Sequence, residues 1–90
     1  MTSAVEVRSE IRNRILISVA AYGYEILSNP IMSDADFDLL CLLIRPEIST
    51  GNETLDNFFR ETFEPCTGVW IWKHPELESI RNIYEKVYGK

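Results

Sequence analysis

The chain has 90 residues, of which 46% are hydrophobic and 26% charged, and its formal net charge is −5 at pH 7. This length allows a single domain, residues 1–90, and the composition excludes a disordered or a membrane-spanning chain. The negative charge argues against unaided binding to nucleic acid or to an anionic membrane, since both require a positive field. So short a chain leaves little room for an active site and its supporting residues. We therefore expect a small acidic binding domain rather than an enzyme.

The amino terminus has no basic segment followed by an apolar core, so no signal peptide is predicted and we expect a cytoplasmic protein. The longest apolar run, residues 39–44, is far shorter than the ~20 residues needed to span a bilayer. Cys41 lies in this run and is interpreted as a buried small hydrophobe. A disulfide between Cys41 and Cys66 is not expected in a reducing compartment. With these two cysteines and His74 as candidate ligands, no zinc site is expected.

The first predicted helix has Ser3 as its cap and runs to about residue 27. Ser3 and Glu6 have the spacing of a capping box. One apolar stripe follows at helical spacing: Ile11, Ile15, Val19, Tyr22 and Ile26. Charged residues are assigned to the other side of the helix: Arg8, Glu10, Arg12 and Arg14. The helix is predicted to end before Pro30, because a residue that precedes proline disfavours the helical region.

The second predicted helix begins after Ser33, a strong N-cap residue, and ends near residue 45. Asp34 and Asp36 lie in its first turn, where the helix dipole favours anions. Its apolar positions predict one buried face: Phe37, Leu40, Cys41 and Ile44. The two predicted helices therefore form an αα-hairpin.

The third predicted helix begins with Thr54 as its cap and ends before Pro65. Its aromatic face is assigned to the core: Leu55, Phe58, Phe59 and Phe63. The last predicted helix begins at residues 74–75, with Pro75 at the favoured first position. Its inward positions are Leu77, Ile80, Tyr84 and Val87.

Between these two helices, residues 69–73 are β-branched and aromatic, which predicts an extended stretch packed on the core. Trp70 and Trp72 alternate in this stretch, so packing of both in the core and outward projection of one remain open. Taken together, the elements predict an all-α fold, a small bundle of about four helices that begins with an αα-hairpin.

Several kinds of catalytic chemistry lack their residues. The four glycines are scattered and form no phosphate-binding loop. His74 is interpreted as a capping or surface residue rather than a catalytic base. Asp34 and Asp38 are one helical turn apart and share a face. Two interpretations of this pair stay open. In the first, Asp34 stabilises the start of the helix and Asp38 is solvated; in the second, a ligand or a cation is held between the two carboxylates.

Residues 22–40 read YGYEILSNPIMSDADFDLL. Tyrosine-x-tyrosine is followed by a proline and then by a helix start with serine, two spaced aspartates and leucine. This segment resembles, without a gap, a motif of the N-terminal Ia domain of bacterial NAD-dependent DNA ligases. In that family the Ia domain is a small helical cap that holds the nicotinamide mononucleotide (NMN) half of NAD. A separate nucleotidyltransferase domain carries the reactive lysine.

The resemblance implies a nicotinamide site at four residues. Tyr24 matches the tyrosine that stacks on the nicotinamide ring, and Asp34 and Asp38 match two aspartates that contact NMN. Phe37 stands where the family has a tyrosine, so the aromatic face is kept and a hydroxyl is lost. Glu25 stands where the family has a histidine, which places a carboxylate near the expected phosphate.

The ligase lysine motif K-x-D-G is missing from the chain, so we expect a non-catalytic domain that requires no cofactor and takes NMN or NAD as its ligand. The second half, with Thr67, Gly68 and Trp70, is similar to short stand-alone Ia-like proteins often encoded by phages. This similarity gives an alternative, a protein-interaction module that inhibits a host defence system such as a CRISPR effector, with another protein as its partner. A structural alternative also stays open, in which the motif specifies the αα-hairpin and the original activity is lost.

Overall fold

The computed structural model describes residues 2–89, which form four α-helices and two shorter helical segments. The bounds are α1 Ala4–Ala21, a π-helical turn Tyr22–Ile26, α2 Asp34–Leu43, α3 Glu53–Glu61, a 3₁₀ helix Val69–Lys73 and α4 Leu77–Val87. α1 packs against α2, α4 and the 3₁₀ helix. The predicted all-α fold is confirmed. Within residues 2–89, no helix is both long enough and apolar enough to cross a membrane.

The first two helices begin where the sequence predicts. Glu6 N donates to Ser3 Oγ at 3.2 Å and Ser3 N donates to Glu6 Oε1 at 3.2 Å, which completes the capping box. Ser33 Oγ accepts a hydrogen bond from Asp36 N at 3.1 Å at the start of α2. The sequence predicts these two helix starts correctly, because each capping hydrogen bond joins residues only three positions apart.

The predicted starts of the last two helices are wrong by two residues. Asn52 caps α3, because its side-chain oxygen accepts a hydrogen bond from Leu55 N at 3.1 Å. Thr54 therefore lies inside the helix. α4 begins at Leu77, and Pro75 belongs to the turn before it.

The prediction of an extended stretch at Val69–Lys73 is also wrong, since this segment is a 3₁₀ helix. Ile71 N donates to Gly68 O and His74 N donates to Ile71 O, each at 3.1 Å. Residues two apart in such a helix lie on different sides. Trp70 is accordingly 3% exposed and Trp72 58% exposed, so one indole is in the core and the other faces solvent.

The centre of the core is an aromatic cluster in which α3 meets the 3₁₀ helix. Ring centroids are 5.3 Å apart for Phe58 and Phe59 and 4.9 Å apart for Phe63 and Trp70. The assignment of these phenylalanines to the core is confirmed. The predicted inner face of α2 is confirmed as well, with Phe37 partly buried and packed against the core: Phe37, Leu40, Cys41 and Ile44.

The amino-terminal half of α1 contradicts its predicted orientation. Glu10 and Arg14, assigned to the solvent side, are 2% and 5% exposed, while Ile11 and Ile15 of the predicted stripe are exposed. Arg14 Nε donates to Glu10 Oε2 at 2.6 Å, and Arg14 Nη1 donates to Asp56 Oδ1 at 2.6 Å. Buried charges are tolerated when they are paired and hydrogen-bonded in this way.

This buried ion cluster also fixes the loop between α2 and α3. Arg14 Nη2 donates to Ile48 O at 3.0 Å, and Asp56 accepts hydrogen bonds from the backbone N–H and the hydroxyl of Thr50. Glu10 accepts a hydrogen bond from Arg45 N at 2.8 Å. In residues 2–89, every buried polar side-chain atom has a hydrogen-bond partner.

His74 is buried beside Phe58, with ring centroids 5.0 Å apart, and its Nδ1 accepts a hydrogen bond from Glu76 N at 3.0 Å. This bond lies in the turn before α4, whose N-cap is Glu76 and has no side-chain hydrogen bond. The prediction of a capping or surface residue is therefore wrong, since His74 does not cap α4 and is buried. Burial lowers the pKa of His74 from 6.5 to about 4, against a smaller opposing effect of the Glu76 charge. Protonation would also remove the acceptor, because both ring nitrogens of a histidinium are donors.

This burial gives an expected pH dependence of stability. The unfolded chain binds a proton at His74 below about 6.5, whereas the folded chain resists it down to about 4. The stabilisation that the neutral, buried His74 gives to the fold is thus fully present above pH 6.5, and it is lost as the pH falls from 6.5 to about 4. Urea unfolding midpoints should decrease from pH 6.5 to 4 in the wild type and should decrease less in His74→Asn. Identical profiles for the two proteins would contradict this account.

Candidate ligand-binding cleft

A cleft of about 340 Å³ lies where the π-helical turn, the start of α2 and the loop before the 3₁₀ helix meet. The four residues that the motif assigns to a ligand all line it: Tyr24, Asp34, Phe37 and Asp38. Small-molecule sites commonly have volumes of roughly 300–1,000 Å³. The structure therefore brings the motif residues together in a cleft of suitable size for a small ligand.

The π-helical turn determines which motif residues reach the cleft. Leu27 N donates to Tyr22 O at 3.3 Å, one residue further along than in an α-helix. Tyr22 and Gly23 are buried, whereas Tyr24 is about half exposed and lines the cleft. Such turns within α-helices occur frequently at functional sites.

Gly23 is required by close packing. A Cβ at this position would lie 2.9 Å from Asn29 O and 2.9 Å from a ring carbon of Tyr84. Asn29 Nδ2 donates to the Tyr84 hydroxyl at 2.9 Å, and the Tyr22 and Tyr84 rings are 5.5 Å apart. Tyr22, Gly23 and Asn29 thus hold the turn against α4, and this part of the motif has a structural role.

α2 supplies the opposite wall of the cleft. Asp34 and Asp38 are exposed, and no hydrogen bond from elsewhere in residues 2–89 occupies either carboxylate. Phe37 lies between them in sequence and packs partly against the core, which restricts its ring. Both carboxylates are therefore free to accept hydrogen bonds from a ligand beside a held aromatic side chain.

The third wall is the loop that contains Cys66, Thr67 and Gly68, which sequence reasoning did not assign to the site. A Cβ at Gly68 would lie 3.1 Å from Cγ of Glu25, so the small residue leaves space for this side chain. No local pattern relates this loop to a motif about 40 residues earlier, because the proximity arises from tertiary packing.

The lining of the cleft is acidic. Glu25, Asp34 and Asp38 carry its carboxylates, and none of the described residues that line it is lysine, arginine or histidine.

Cys41 is buried, as predicted, and burial raises the pKa of its thiol; Cys41 and Cys66 are both free. Among residues 2–89, no group of three or more histidine, cysteine or acidic side chains is arranged to hold a metal ion.

No protein-family model, curated protein or solved structure matches this chain. The resemblance to the ligase Ia domain therefore stays a prediction from the sequence. In the fold, the four residues that the motif assigns to a ligand line one cleft together with Glu25.

Proposed function

We propose that the protein is a non-catalytic binding domain that holds the nicotinamide-nucleoside part of NMN or NAD in this cleft. The observation that carries the proposal is the convergence of Tyr24, Asp34, Phe37 and Asp38 on one cleft of about 340 Å³. Tyr22, Gly23 and Asn29 of the same motif pack the turn against α4, whereas these four side chains lie on the wall of the cleft, where a ligand can contact them.

Each of the four side chains has a distinct role in the proposed complex. Tyr24 offers a half-exposed ring on which a pyridine ring stacks, and Phe37 offers a second apolar wall. Asp34 and Asp38 accept hydrogen bonds from ribose hydroxyls or from the carboxamide. The K-x-D-G motif of the ligase lysine is missing from the chain, and the proposal therefore assigns this domain nucleotide binding without ligase activity.

Calorimetric titration with NMN and with NAD tests this function. Asp34→Ala and Asp38→Ala should each weaken binding by about tenfold, within the ~1–3 kcal/mol expected when one hydrogen-bonding group is lost. Asp36→Ala is the matched control, because Asp36 is an exposed aspartate on the same helix that does not line the cleft. No heat with the wild type at millimolar ligand, or an equal loss in the control, would contradict the proposal.

A second candidate function, a protein-interaction module that inhibits a host defence effector, is favoured by a different face of α2. Leu39, Leu42 and Leu43 are 62%, 72% and 57% exposed and lie away from the cleft. Contiguous exposed apolar side chains mark interaction surfaces.

The two faces of α2 allow the two functions to be separated. In a plasmid-interference assay, an inhibitor should protect the plasmid, Leu42→Ser should abolish protection, and Asp34→Ala should retain it. Absence of protection by the wild type against the tested effectors would count against this candidate. Loss of protection in Asp34→Ala alone would instead tie the effect to the cleft.

A further inference from the structure

The charge of the cleft indicates a narrower class of ligand than nicotinamide nucleotides in general. We propose that the cleft selects a positively charged aromatic ring that carries no phosphate, such as the pyridinium of nicotinamide riboside, over the phosphorylated NMN. This inference rests on the proposed function, because it specifies which ligand the same cleft prefers.

Three carboxylates lie on the walls of the cleft. Glu25, Asp34 and Asp38 come from two different helical segments and line one cleft. Glu25 is partly buried and packs close to Gly68, which keeps its side chain at the cleft wall. Like charges that line one cleft favour a cation in it and disfavour an added anion.

Two aromatic side chains also favour a cationic ring in the cleft. Tyr24 and Phe37 line the same cleft as the carboxylates. The face of an aromatic ring attracts a cation, and this attraction is stronger where water is partly excluded. A pyridinium ring gains both from this attraction and from the carboxylates, whereas a neutral pyridine ring gains only from stacking.

The cleft is poorly suited to a phosphate group. A phosphate is normally held by arginine, lysine or free backbone N–H groups. No described lining residue supplies a basic side chain, and one of the first-turn N–H groups of α2, that of Asp36, is already hydrogen-bonded. There Ser33 Oγ accepts the hydrogen bond of Asp36 N, and the carboxylates of Asp34 and Asp36 lie in the first turn. A phosphate bound at this end of α2 is repelled by these two carboxylates.

Two matched pairs of ligands test the inference in calorimetric titrations. 1-Methylnicotinamide and nicotinamide share a ring and differ by a methyl group on the ring nitrogen, which gives the former its positive charge. Nicotinamide riboside and NMN differ by one phosphate. The charged ring should bind more tightly in the first pair, and the riboside should bind at least about tenfold more tightly than NMN in the second, a difference of about 1.4 kcal/mol. Both differences should decrease at high ionic strength.

Glu25→Gln tests the residue that departs from the ligase pattern. It should reduce the preference for the riboside over NMN to about threefold or less, since one unit of charge repulsion is removed. Glu61→Gln is the control, because Glu61 is an exposed glutamate outside the cleft. The unfolding temperature of each variant shows whether it is folded.

The outcomes separate this inference from the function on which it rests. NMN binding as tightly as the riboside, or nicotinamide binding as tightly as 1-methylnicotinamide, overturns the selectivity and leaves a nicotinamide site in place. An unchanged preference in Glu25→Gln removes the role given to this residue. Failure of all four ligands to bind overturns both the selectivity and the proposed function.

Discussion

Replacing Arg14 by methionine is expected to lower the free energy of unfolding by about 3–5 kcal/mol, because two buried carboxylates lose their counter-ion. The guanidinium lies between Glu10 and Asp56 and donates to each at 2.6 Å. It also stacks on Phe59, with 5.1 Å from its central carbon to the ring centroid. Urea unfolding followed by tryptophan fluorescence measures the loss.

Arg45→Met is the matched control for this substitution. Arg45 forms ion pairs with Glu6 and Glu47, but all three side chains are largely exposed. Such pairs contribute roughly 0–1 kcal/mol, so the control should remain within this range of the wild type. An Arg14→Met protein as stable as the control at pH 7 would contradict the role assigned to the buried cluster.

The loss of unfolding free energy in Arg14→Met should also depend on pH. In the wild type, burial raises the pKa of Asp56, but hydrogen bonds from Thr50 and Arg14 outweigh it and hold the pKa below its usual 3.8. The contribution of Asp56 to the free energy of unfolding is present above the pKa that this carboxyl has in the unfolded chain. It is lost as the pH falls through the lower pKa of the folded protein. Without Arg14, protonation relieves the unpaired carboxylates. The difference between variant and wild type should therefore shrink in acid, and a constant difference from pH 7 to pH 3 would contradict this mechanism.

Trp70→Ala is expected to lower the free energy of unfolding by about 3–5 kcal/mol, as for other large buried aromatic side chains. Trp70 packs on Phe58 and Phe63, and its indole N–H donates to Thr67 O. Trp72→Ala, two residues away on the exposed side of the 3₁₀ helix, should change the free energy by ~0.5 kcal/mol or less. Thermal unfolding of the two variants measures the contrast. Equal losses would contradict the assignment of one indole to the core and the other to solvent.

The difference between these two tryptophans shows where sequence patterns stop being informative. A β-branched and aromatic run favours an extended conformation, and its propensity is easily overridden by packing. Here Trp70 and Ile71 are both buried although they are consecutive in sequence, which a half-buried extended strand does not allow. The helical caps at Ser3 and Ser33 could be predicted, since each is decided within four residues.

The buried charges of α1 were missed for a related reason. Hydrophobic periodicity assigns charged residues to solvent, and the partner that makes burial of Arg14 acceptable, Asp56, is 42 residues away. In the cleft, the walls formed by the π-helical turn and α2 follow from one continuous motif. The wall formed by residues 66–68 could not be predicted, because it depends on how the loop before the 3₁₀ helix packs on the end of α1.

The central claim is that the motif residues form one ligand site, and an NMR titration of isotope-labelled protein with nicotinamide riboside tests it most directly. The account predicts saturable shifts of amide signals that map to the cleft: Tyr24, Glu25, Asp34, Phe37, Asp38, Thr67 and Gly68. The signals of Leu42 and Leu43, on the other face of α2, should move little. No shifts at millimolar ligand, or shifts confined to residues outside the cleft, would contradict the claim.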